Sequence, residues 1–267
     1  MRASDPPNLV ALGRHVAAAV REAGELAMKS FRSPIKSWFK HGNSPVSEVD
    51  LAIDALLRER LAATGPACGW LSEETVDDPA RLSAEHVWIV DPIDGTRGFL
   101  AGVPDWTISV ALASAGRPVM AALYAPATDE LFLAAAGGGA TRNGTPIAVT
   151  EGGSLAGARV AGPERRLGRL APLGIVPEPK VHSLALRIAR VAQGTLDLAL
   201  AGPNSHDWDL AAADLLVHEA GGALTTLGGE TLVYNRPVPT HGALFAAGHA
   251  RREALSALMR EGRIAFG

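Results

Sequence analysis

Apolar residues near the N-terminus recur at steps of three and four, the spacing of an amphipathic helix with one buried face. They are Leu9, Leu12, Val16, Val20, Ala23 and Ala27. A second stripe with this spacing comprises Val49, Ile53, Leu56, Leu57 and Leu61. Ser47 stands before it as an N-cap, and Gly65-Pro66 marks its end. The sequence therefore predicts two helices in this part of the chain.

Between residues 70 and 143 the pattern changes to short apolar or alternating runs separated by turn residues. The runs span residues 87–90, 107–113, 118–124 and 130–135. They predict a largely antiparallel sheet. Gly137-Gly138-Gly139 and Asn143-Gly144 are read as hairpin or loop signals rather than as a phosphate loop.

Beyond residue 155 apolar runs alternate with helical segments, which predicts a second α/β unit. The predicted helices lie near 184–193, 208–220 and 250–260, and the predicted strands lie within 196–201, 223–226 and 243–247. We therefore divide the chain into an N-terminal α+β half, 1–155, and a C-terminal α/β half, 156–267.

The composition of the chain limits the classes of protein to which it can belong. A chain of 267 residues with 47% hydrophobic residues can bury a sizeable core. A formal charge of −3 without a long basic block argues against a dedicated binder of nucleic acid or membrane surfaces. No apolar stretch approaches the roughly 18 residues of a membrane span. With Cys68 as the only cysteine, a cytoplasmic location is expected.

The strongest chemical signal is the segment Trp88-Ile89-Val90-Asp91-Pro92-Ile93-Asp94-Gly95-Thr96. An apolar strand runs directly into two carboxylates, Asp91 and Asp94, across a proline turn. Both carboxylates can face one point, and hard oxygen ligands of this kind suit Mg²⁺ better than zinc. The amides of Gly95 and Thr96 would bind phosphate oxygens if a helix begins there. Isolated Asp-Pro or Asp-Gly pairs would indicate ordinary turns, but the complete arrangement favours a metal and phosphate site.

Three other acidic positions have alternative explanations when each is taken alone. Glu73, in the pair Glu73-Glu74, either completes the site or is solvated after a strand. Asp209 lies just inside a predicted helix, where it would interact with the helix dipole. Asp50 stands three residues after Ser47, where a capping-box partner is found.

The segment 88–96 resembles the W-I-V-D-P-I-D-G-T signature of the inositol monophosphatase superfamily. Further family motifs follow in matching order: Ser47-x-x-Asp50, Ser72-Glu73-Glu74 and Trp208-Asp209. The resemblance covers nearly the whole chain. It implies the sugar-phosphatase fold, an α/β (α+β) layered sandwich with an antiparallel N-terminal sheet, a mixed C-terminal sheet and helices between them. It also implies a homodimer.

The resemblance also implies two Mg²⁺ ions. Glu73, Asp91 and the carbonyl of Ile93 would hold one ion, and Asp91, Asp94 and Asp209 would hold the other. Some family members use a third Mg²⁺ near Glu73, and the family is commonly inhibited by lithium.

In the mechanism that the resemblance implies, water attacks the phosphate ester directly and no phosphoenzyme forms. Thr96, hydrogen-bonded to Asp50, would orient the water and help to deprotonate it, and Glu73 would assist. The substrate would be a small phosphorylated metabolite.

The motifs that distinguish substrates within the family point to different phosphate esters in this sequence. The S-E-E sequence at residues 72–74 resembles that of the bacterial CysQ-like 3'(2'),5'-bisphosphate nucleotidase branch. Enzymes of this branch convert 3'-phosphoadenosine 5'-phosphate to AMP and phosphate. Inositol and histidinol phosphatases usually show G-E-E at the same place. Arg187 stands near the lysine of that branch's G-S-S-L-K motif, although Ser183 and its neighbours depart from it. Gly202 stands where inositol-type enzymes place an acidic residue. The nucleotidase reading is preferred, with inositol 1-phosphate or histidinol phosphate as alternative substrates.

Further substrate contacts are predicted at Ser183, His206 and Asp207, although His206 fits a solvent-facing loop and Asp207 a helix N-cap equally well. Arg97 is expected either to meet a second phosphate or to form a surface salt bridge. A regulatory protein with an RNA or polymerase partner is the alternative from a different class. A nucleic-acid partner is not expected, because every carboxylate of the implied site is present.

Overall fold

The two predicted helices and the four predicted strands of the first half are present in the predicted order, together with shorter elements that the sequence did not predict. The computed structural model describes residues 9–40, 45–63 and 68–266. In chain order the elements are α1 (Leu9–Ser30), β1 (Ser37–Phe39), β2 (Pro45–Ser47), α2 (Glu48–Ala62), β3 (Gly69–Ser72), β4 (His86–Asp94), α3 (Thr96–Leu100), β5 (Thr107–Ser114), β6 (Arg117–Ala125), β7 (Glu130–Ala135), β8 (Ala140–Arg142) and β9 (Thr145–Pro146). The predicted helix end at Gly65-Pro66 lies outside the described residues.

The second half contains the three predicted helices together with shorter elements. They are β10 (Arg159–Ala161), α4 (Glu164–Leu170), β11 (Val176–Pro177), α5 (Leu184–Ala192), β12 (Leu198–Ala201), β13 (Ser205–His206), α6 (Asp207–Glu219), β14 (Gly222–Thr226), β15 (Thr240–His241), β16 (Leu244–Gly248) and α7 (His249–Arg260).

Strands β3 to β9 form one sheet in chain order, and its neighbouring strands are antiparallel from β4 onward. The exception is β3, which pairs parallel with β4. A parallel pair needs a crossover rather than a tight turn. The connection here passes through a 3₁₀ helix, Pro79–Ser83, so the chain re-enters the sheet in the same direction.

Helices cover both faces of this sheet, which explains why β5 is buried along almost its whole length. Its side chains alternate between the two faces. Ile108 and Val110 pack in a core cluster with α1 and α2, whereas Ala111 faces a second cluster that contains α5 and α6. Trp106 is fully buried, with its ring centroid 4.8 Å from that of Phe99, so it packs in the core.

The second sheet has the order β11-β10-β12-β16-β14 and is mixed. Helices α5 and α6 lie between the two sheets, and α4 and α7 cover the outer face of the second sheet. This arrangement confirms the predicted layered sandwich. The division at residue 155 stays a prediction. Among the described residues, no helix combines the length and apolarity that a membrane span requires.

Candidate metal centre and active site

The end of β4 turns two aspartates toward one point. Asp91 and Asp94 are three residues apart, so a regular strand would place them on opposite faces of the sheet. The pairing of β4 with β5 shifts register between these residues, as in a β-bulge. An extra residue in one strand reverses the alternation and re-aims the side chains that follow. The bulge therefore explains how both carboxylates reach the same side.

A third aspartate reaches the same point from α6. Asp209 is the third residue of that helix, and its Oδ2 accepts a hydrogen bond from the backbone nitrogen of His206 at 2.7 Å. The start of a helix attracts negative charge, which favours a carboxylate here. One carboxylate oxygen from each of Asp91, Asp94 and Asp209 lies within 4.8 Å of the other two. The three aspartates thus form one compact acidic group.

Helix α5 holds Asp94 in place. Oδ2 accepts hydrogen bonds from Ser183 Oγ and from the backbone nitrogen of Ala185, each at 2.6 Å. The backbone nitrogen of Leu184 donates to Oδ1 at 3.2 Å. Burial raises the pKa of Asp94 to about 6, although these three donors oppose the increase. One side of the carboxylate is therefore fixed by donors from a helix N-terminus.

Asp91 is the aspartate of this group whose buried charge is least stabilised by hydrogen bonds. Its Oδ1 is buried and has no hydrogen-bond partner among the described residues. Burial and then the negative charges of Glu73 and Asp94 raise the pKa of Asp91 well above its usual range. Burial and the charge of Asp94 do the same for Asp209. A cation bound between the aspartates would offset the cost of burying the negative charges of Asp91 and Asp209. The residues therefore fit a site for a hard divalent metal.

Glu73 lines the same pocket but lies outside the group of three aspartates. Lys40 Nζ contacts Glu73 Oε1 at 3.0 Å and Glu74 Oε1 at 2.8 Å. The side chain of Glu73 is 18% exposed and that of Glu74 only 2%, so neither is a solvated acid after a strand. Burial raises its pKa to about 7, with the hydrogen bond from Lys40 acting in the opposite direction.

Thr96 and Asp50 meet as the family resemblance implies. Thr96 Oγ1 lies 3.3 Å from Asp50 Oδ1 and 2.9 Å from the carbonyl oxygen of Ile93. Ser47 donates to Asp50 Oδ2 from its backbone nitrogen at 2.8 Å and from its hydroxyl at 2.5 Å. The predicted capping box at the start of α2 is therefore present. It leaves Oδ1 of Asp50 directed at Thr96.

Gly95 connects the metal centre to α3, which begins at Thr96. Its φ of +94° is a conformation that residues with a side chain rarely adopt. A Cβ atom at this position would lie 2.9 Å from the backbone nitrogen of Ser183. The strand, the turn and the start of α5 can pack this closely only because residue 95 is glycine.

Two predicted substrate contacts are placed elsewhere. Ser183 is fully buried and contacts Asp94, so it supports a carboxylate behind the pocket surface. Arg187 donates to the carbonyl oxygens of Leu200 at 2.9 Å and Val181 at 3.0 Å. Arg187 does not line the pocket, because its guanidinium is held by the chain around α5. Neither placement matches the predicted contact with substrate.

Asp207 also differs from its prediction. It is fully buried and accepts hydrogen bonds at 2.7 Å from both the backbone nitrogen of Asn235 and His241 Nε2. Residues two apart on a helix point in different directions, so Asp207 faces away from the side that carries Asp209. The helix N-cap is His206, whose half-buried ring stacks on Trp208 at 4.5 Å.

A cavity of about 210 Å³ opens over the acidic group. Its lining includes Lys180 and His182, which the sequence did not reveal. Asp105 lies behind His182, with its Oδ2 2.9 Å from His182 Nδ1, and the sequence did not reveal it either. Lys40, beside Glu73, was missed as well. Each contact joins residues more than 30 positions apart, and no local motif marks such a pair.

Comparison with known proteins found a matching family model and related sequences. Residues 11–262 match the model of the inositol monophosphatase family. An inositol-1-monophosphatase of Rhizobium meliloti (strain 1021) is 37% identical over 187 residues, which cover 66% of this chain and 70% of the relative. A histidinol-phosphatase of Mycobacterium tuberculosis is 34% identical over 199 residues, which cover 70% of this chain and 75% of the relative.

A solved structure shows the same fold. The crystal structure of the extragenic suppressor protein suhB from Bartonella henselae has a TM-score of 0.84 to this chain, with 27% identity over 94% of this chain and 99% of that one. The family model spans most of the sequence, and the segments that carry the aspartates lie within the matched region. The chain therefore belongs to the inositol monophosphatase family.

Proposed function

We propose that the protein is a Mg²⁺-dependent phosphomonoesterase that hydrolyses the phosphate ester of a small metabolite. The observation that carries this proposal is the group formed by Asp91, Asp94 and Asp209, whose carboxylate oxygens lie within 4.8 Å of one another. The unpartnered Oδ1 of Asp91 supports it, because a buried carboxylate oxygen without a donor is costly unless a cation binds it.

The proposed ligands follow the family motifs. Asp91, Asp94 and Asp209 would hold one Mg²⁺, and Asp91, Glu73 and the carbonyl of Ile93 would hold a second. A third Mg²⁺ near Glu73, which the resemblance implies for some family members, belongs to the same proposal. Bound Mg²⁺ supplies Lewis-acid polarisation of the phosphoryl oxygens. Lithium inhibition belongs to the same proposal.

Thr96 and Asp50 supply the proton transfer in this proposal. Thr96 Oγ1 donates its own proton to Asp50 Oδ1 or to the Ile93 carbonyl, which leaves its lone pairs able to accept a proton from water. Burial raises the pKa of Asp50, against the hydrogen bonds from Ser47, and a higher pKa makes the carboxylate a better base. A proton of the attacking water would pass to Thr96 Oγ1 as the Thr96 proton passes to Asp50 Oδ1. The water oxygen would bond to phosphorus while the P–O ester bond breaks, and the leaving alkoxide would take up a proton from solvent.

The amides at the start of α3 would receive the phosphate group. Gly95 and Thr96 lie at the first turn of that helix and line the cavity beside Asp94. Glycine allows an anion to approach the backbone closely.

Three phosphate esters are candidate substrates. Ser72, which favoured the nucleotidase reading, is buried and donates to Asp54 Oδ1 at 2.5 Å, so its hydroxyl supports α2 rather than a substrate. 3'-Phosphoadenosine 5'-phosphate stays a candidate, beside inositol 1-phosphate and histidinol phosphate, which the names of two relatives suggest. The RNA- or polymerase-binding alternative and the homodimer stay predictions.

The test is phosphate release from these three esters by metal-depleted protein, with and without added Mg²⁺. We expect Mg²⁺-dependent release from at least one ester and none from the Asp91→Asn variant. Asp129→Asn, at an exposed aspartate, serves as the matched control and should retain activity. No release by the wild type under any condition would contradict the proposal and favour the binding alternative.

A further inference from the structure

A buried carboxylate on α2 holds the segment that carries Glu73. Asp54 is 8% exposed; its Oδ1 accepts a hydrogen bond from Ser72 Oγ and its Oδ2 accepts one from Thr75 Oγ1, each at 2.5 Å. Ser72 and Thr75 stand directly before and directly after the pair Glu73-Glu74. Asp54 therefore binds both ends of a four-residue segment whose two central residues are acidic.

These side-chain contacts continue where the sheet ends. Strand β3 ends at Ser72, and the backbone nitrogen of Glu73 donates to the carbonyl oxygen of Val90 in β4 at 3.3 Å. The Ser72 hydroxyl also accepts from the backbone nitrogen of Glu74 at 3.3 Å. The hydroxyl of Thr75 then returns the segment to α2. The backbone of Glu73 is thus fixed on both sides, by the sheet and Ser72 before it and by Thr75 after it.

The same helix carries the proposed proton acceptor. Asp50 and Asp54 are four residues apart on α2, so they lie on one face of the helix. Asp50 Oδ1 lies 3.3 Å from Thr96 Oγ1, whereas Asp54 contacts the segment of Glu73. One face of α2 therefore sets the position of Glu73 relative to the groups proposed to activate water.

We infer that Asp54 is a positioning residue, which acts through Ser72 and Thr75 to hold Glu73 in place as a ligand of the proposed second Mg²⁺. The inference rests on the proposed function, in which Glu73 is a metal ligand. A segment released from Asp54 would have to lose conformational freedom each time the ion binds, and that loss would weaken binding. Partners that hold metal ligands commonly change metal affinity tenfold or more without touching the ion.

Mg²⁺ binding to the metal-depleted full chain, measured by isothermal titration calorimetry, tests the inference. Glu73→Gln identifies the binding phase that depends on this ligand. Thr75→Val replaces the hydroxyl by a methyl group of similar size and leaves every charge in place. We expect Thr75→Val to raise the Kd of that phase about tenfold and Thr75→Ser, which keeps the hydroxyl, to restore it. Ser72→Ala removes the other donor to Asp54 and should raise the same Kd.

A double-mutant cycle distinguishes positioning of Glu73 from a general loss of stability. In the Glu73→Gln protein only the ion held by the three aspartates remains, so Thr75→Val should not change its Kd there. Thr150→Val is the matched control, because Thr150 Oγ1 donates to the buried Asp197 at 2.6 Å outside the candidate site. It should lower the Tm and leave both Kd values for Mg²⁺ unchanged.

Activity gives a second measurement. Excess Mg²⁺ should return the kcat of Thr75→Val toward the wild-type value, because the residues proposed for proton transfer are intact in this variant. A kcat that stays low when Mg²⁺ saturates the protein would contradict a defect in metal binding and overturn the positioning role.

The outcomes separate the positioning role from the proposed function. Wild-type Kd values in Thr75→Val, or an equal rise of Kd in the wild-type and Glu73→Gln backgrounds, would overturn the role of Asp54, while Mg²⁺-dependent hydrolysis by the wild type would retain the phosphatase. Absence of both Mg²⁺ binding and Mg²⁺-dependent phosphate release in the wild type would overturn the proposed function and the positioning role with it.

Discussion

The hydroxyl of Ser183 joins a metal-site carboxylate to a helix. Its Oγ donates to Asp94 Oδ2 at 2.6 Å and accepts from the backbone nitrogen of Leu186 at 2.9 Å, as the N-cap of α5. One side chain thus fixes the orientation of Asp94 relative to α5. Partners of this kind commonly matter to metal affinity almost as much as the ligands themselves.

Replacing Ser183 by alanine should weaken both functions of the hydroxyl. We expect the Mg²⁺ concentration for half-maximal activity to rise about tenfold, because Asp94 loses a short hydrogen bond. The free energy of unfolding should fall by about 1 kcal/mol through loss of the N-cap. A Mg²⁺ titration of activity and urea unfolding measure the two effects. Ser183→Thr keeps the hydroxyl and should restore most of the Mg²⁺ response; an unaltered Mg²⁺ requirement in Ser183→Ala would contradict the supporting role.

The acidic group was predictable because its members lie in local motifs. Asp91 and Asp94 follow an apolar strand, and Asp209 follows a tryptophan at a helix start, so the sequence marks each of them. The support around them was not predictable. Lys40 with Glu73, and Asp105 with His182, are long-range pairs that exist only after the strands and helices have packed.

Replacing Asp91 by asparagine should remove activity and stabilise the metal-free protein at the same time. The variant removes a charge that burial and the neighbouring Glu73 and Asp94 oppose. A gain of about 1 kcal/mol would raise the Tm of a chain of this size by about 2–4 °C. Mg²⁺ should raise the wild-type Tm, because ligands that bind only the folded state stabilise it, and should raise the Tm of the variant much less.

Thermal unfolding in EDTA measures the Tm of the metal-free proteins, and thermal unfolding with added Mg²⁺ measures how far the metal raises it. Asp129→Asn, at an exposed aspartate, should keep both the wild-type Mg²⁺ response and the activity. A metal-free Asp91→Asn protein less stable than the metal-free wild type would show that Asp91 is satisfied without a cation.

Replacing Ser72 by glycine tests the feature that favoured a nucleotidase. Ser72 is buried in β3, and its hydroxyl donates to Asp54 Oδ1, while Thr75 donates to Oδ2. Loss of a hydrogen bond to a buried carboxylate, together with a glycine in a strand, should lower the free energy of unfolding by about 2 kcal/mol. The relative kcat/KM values for 3'-phosphoadenosine 5'-phosphate and inositol 1-phosphate should not change.

Ser72→Ala separates the two contributions, since it removes the hydrogen bond but keeps a Cβ atom. A shift of preference toward inositol 1-phosphate in Ser72→Gly would restore the S-E-E motif as a determinant of substrate choice.

The fold was predictable to the level of its layers because apolar periodicity marks the buried faces. The stripe of α1 and the runs of β5 and β6 stand in the sequence as they pack in the structure. The parallel pairing of β3 with β4 was missed, because strand direction depends on the crossover between them. The very short strands β11, β13 and β15 carry too few residues for any periodicity to appear.

Asp197 links the stability of the fold to pH at a position outside the candidate site. Asp197 is buried; its Oδ1 accepts from Thr150 Oγ1 at 2.6 Å, and its Oδ2 accepts from the backbone nitrogen and Nε of Arg159 at 2.8 and 3.0 Å. Burial alone would raise the pKa of Asp197. The hydrogen bonds and the charge of Arg251 outweigh that effect and hold the pKa at about 2.

The folded-state pKa of Asp197 thus lies below its unfolded value of about 3.9, so the charged carboxylate stabilises the fold above that pH. This contribution, about 2 kcal/mol at neutral pH, should disappear as the pH falls from about 4 toward 2. Asp197→Asn should therefore be about 2 kcal/mol less stable than the wild type at pH 7, and the difference should shrink at pH 3. Urea unfolding across this range measures it, with Asp129→Asn as an exposed control expected to show little effect. Because every other carboxylate is common to both proteins, a difference that stays constant from pH 7 to pH 3 would show that Asp197 stabilises the fold through packing rather than through its charge.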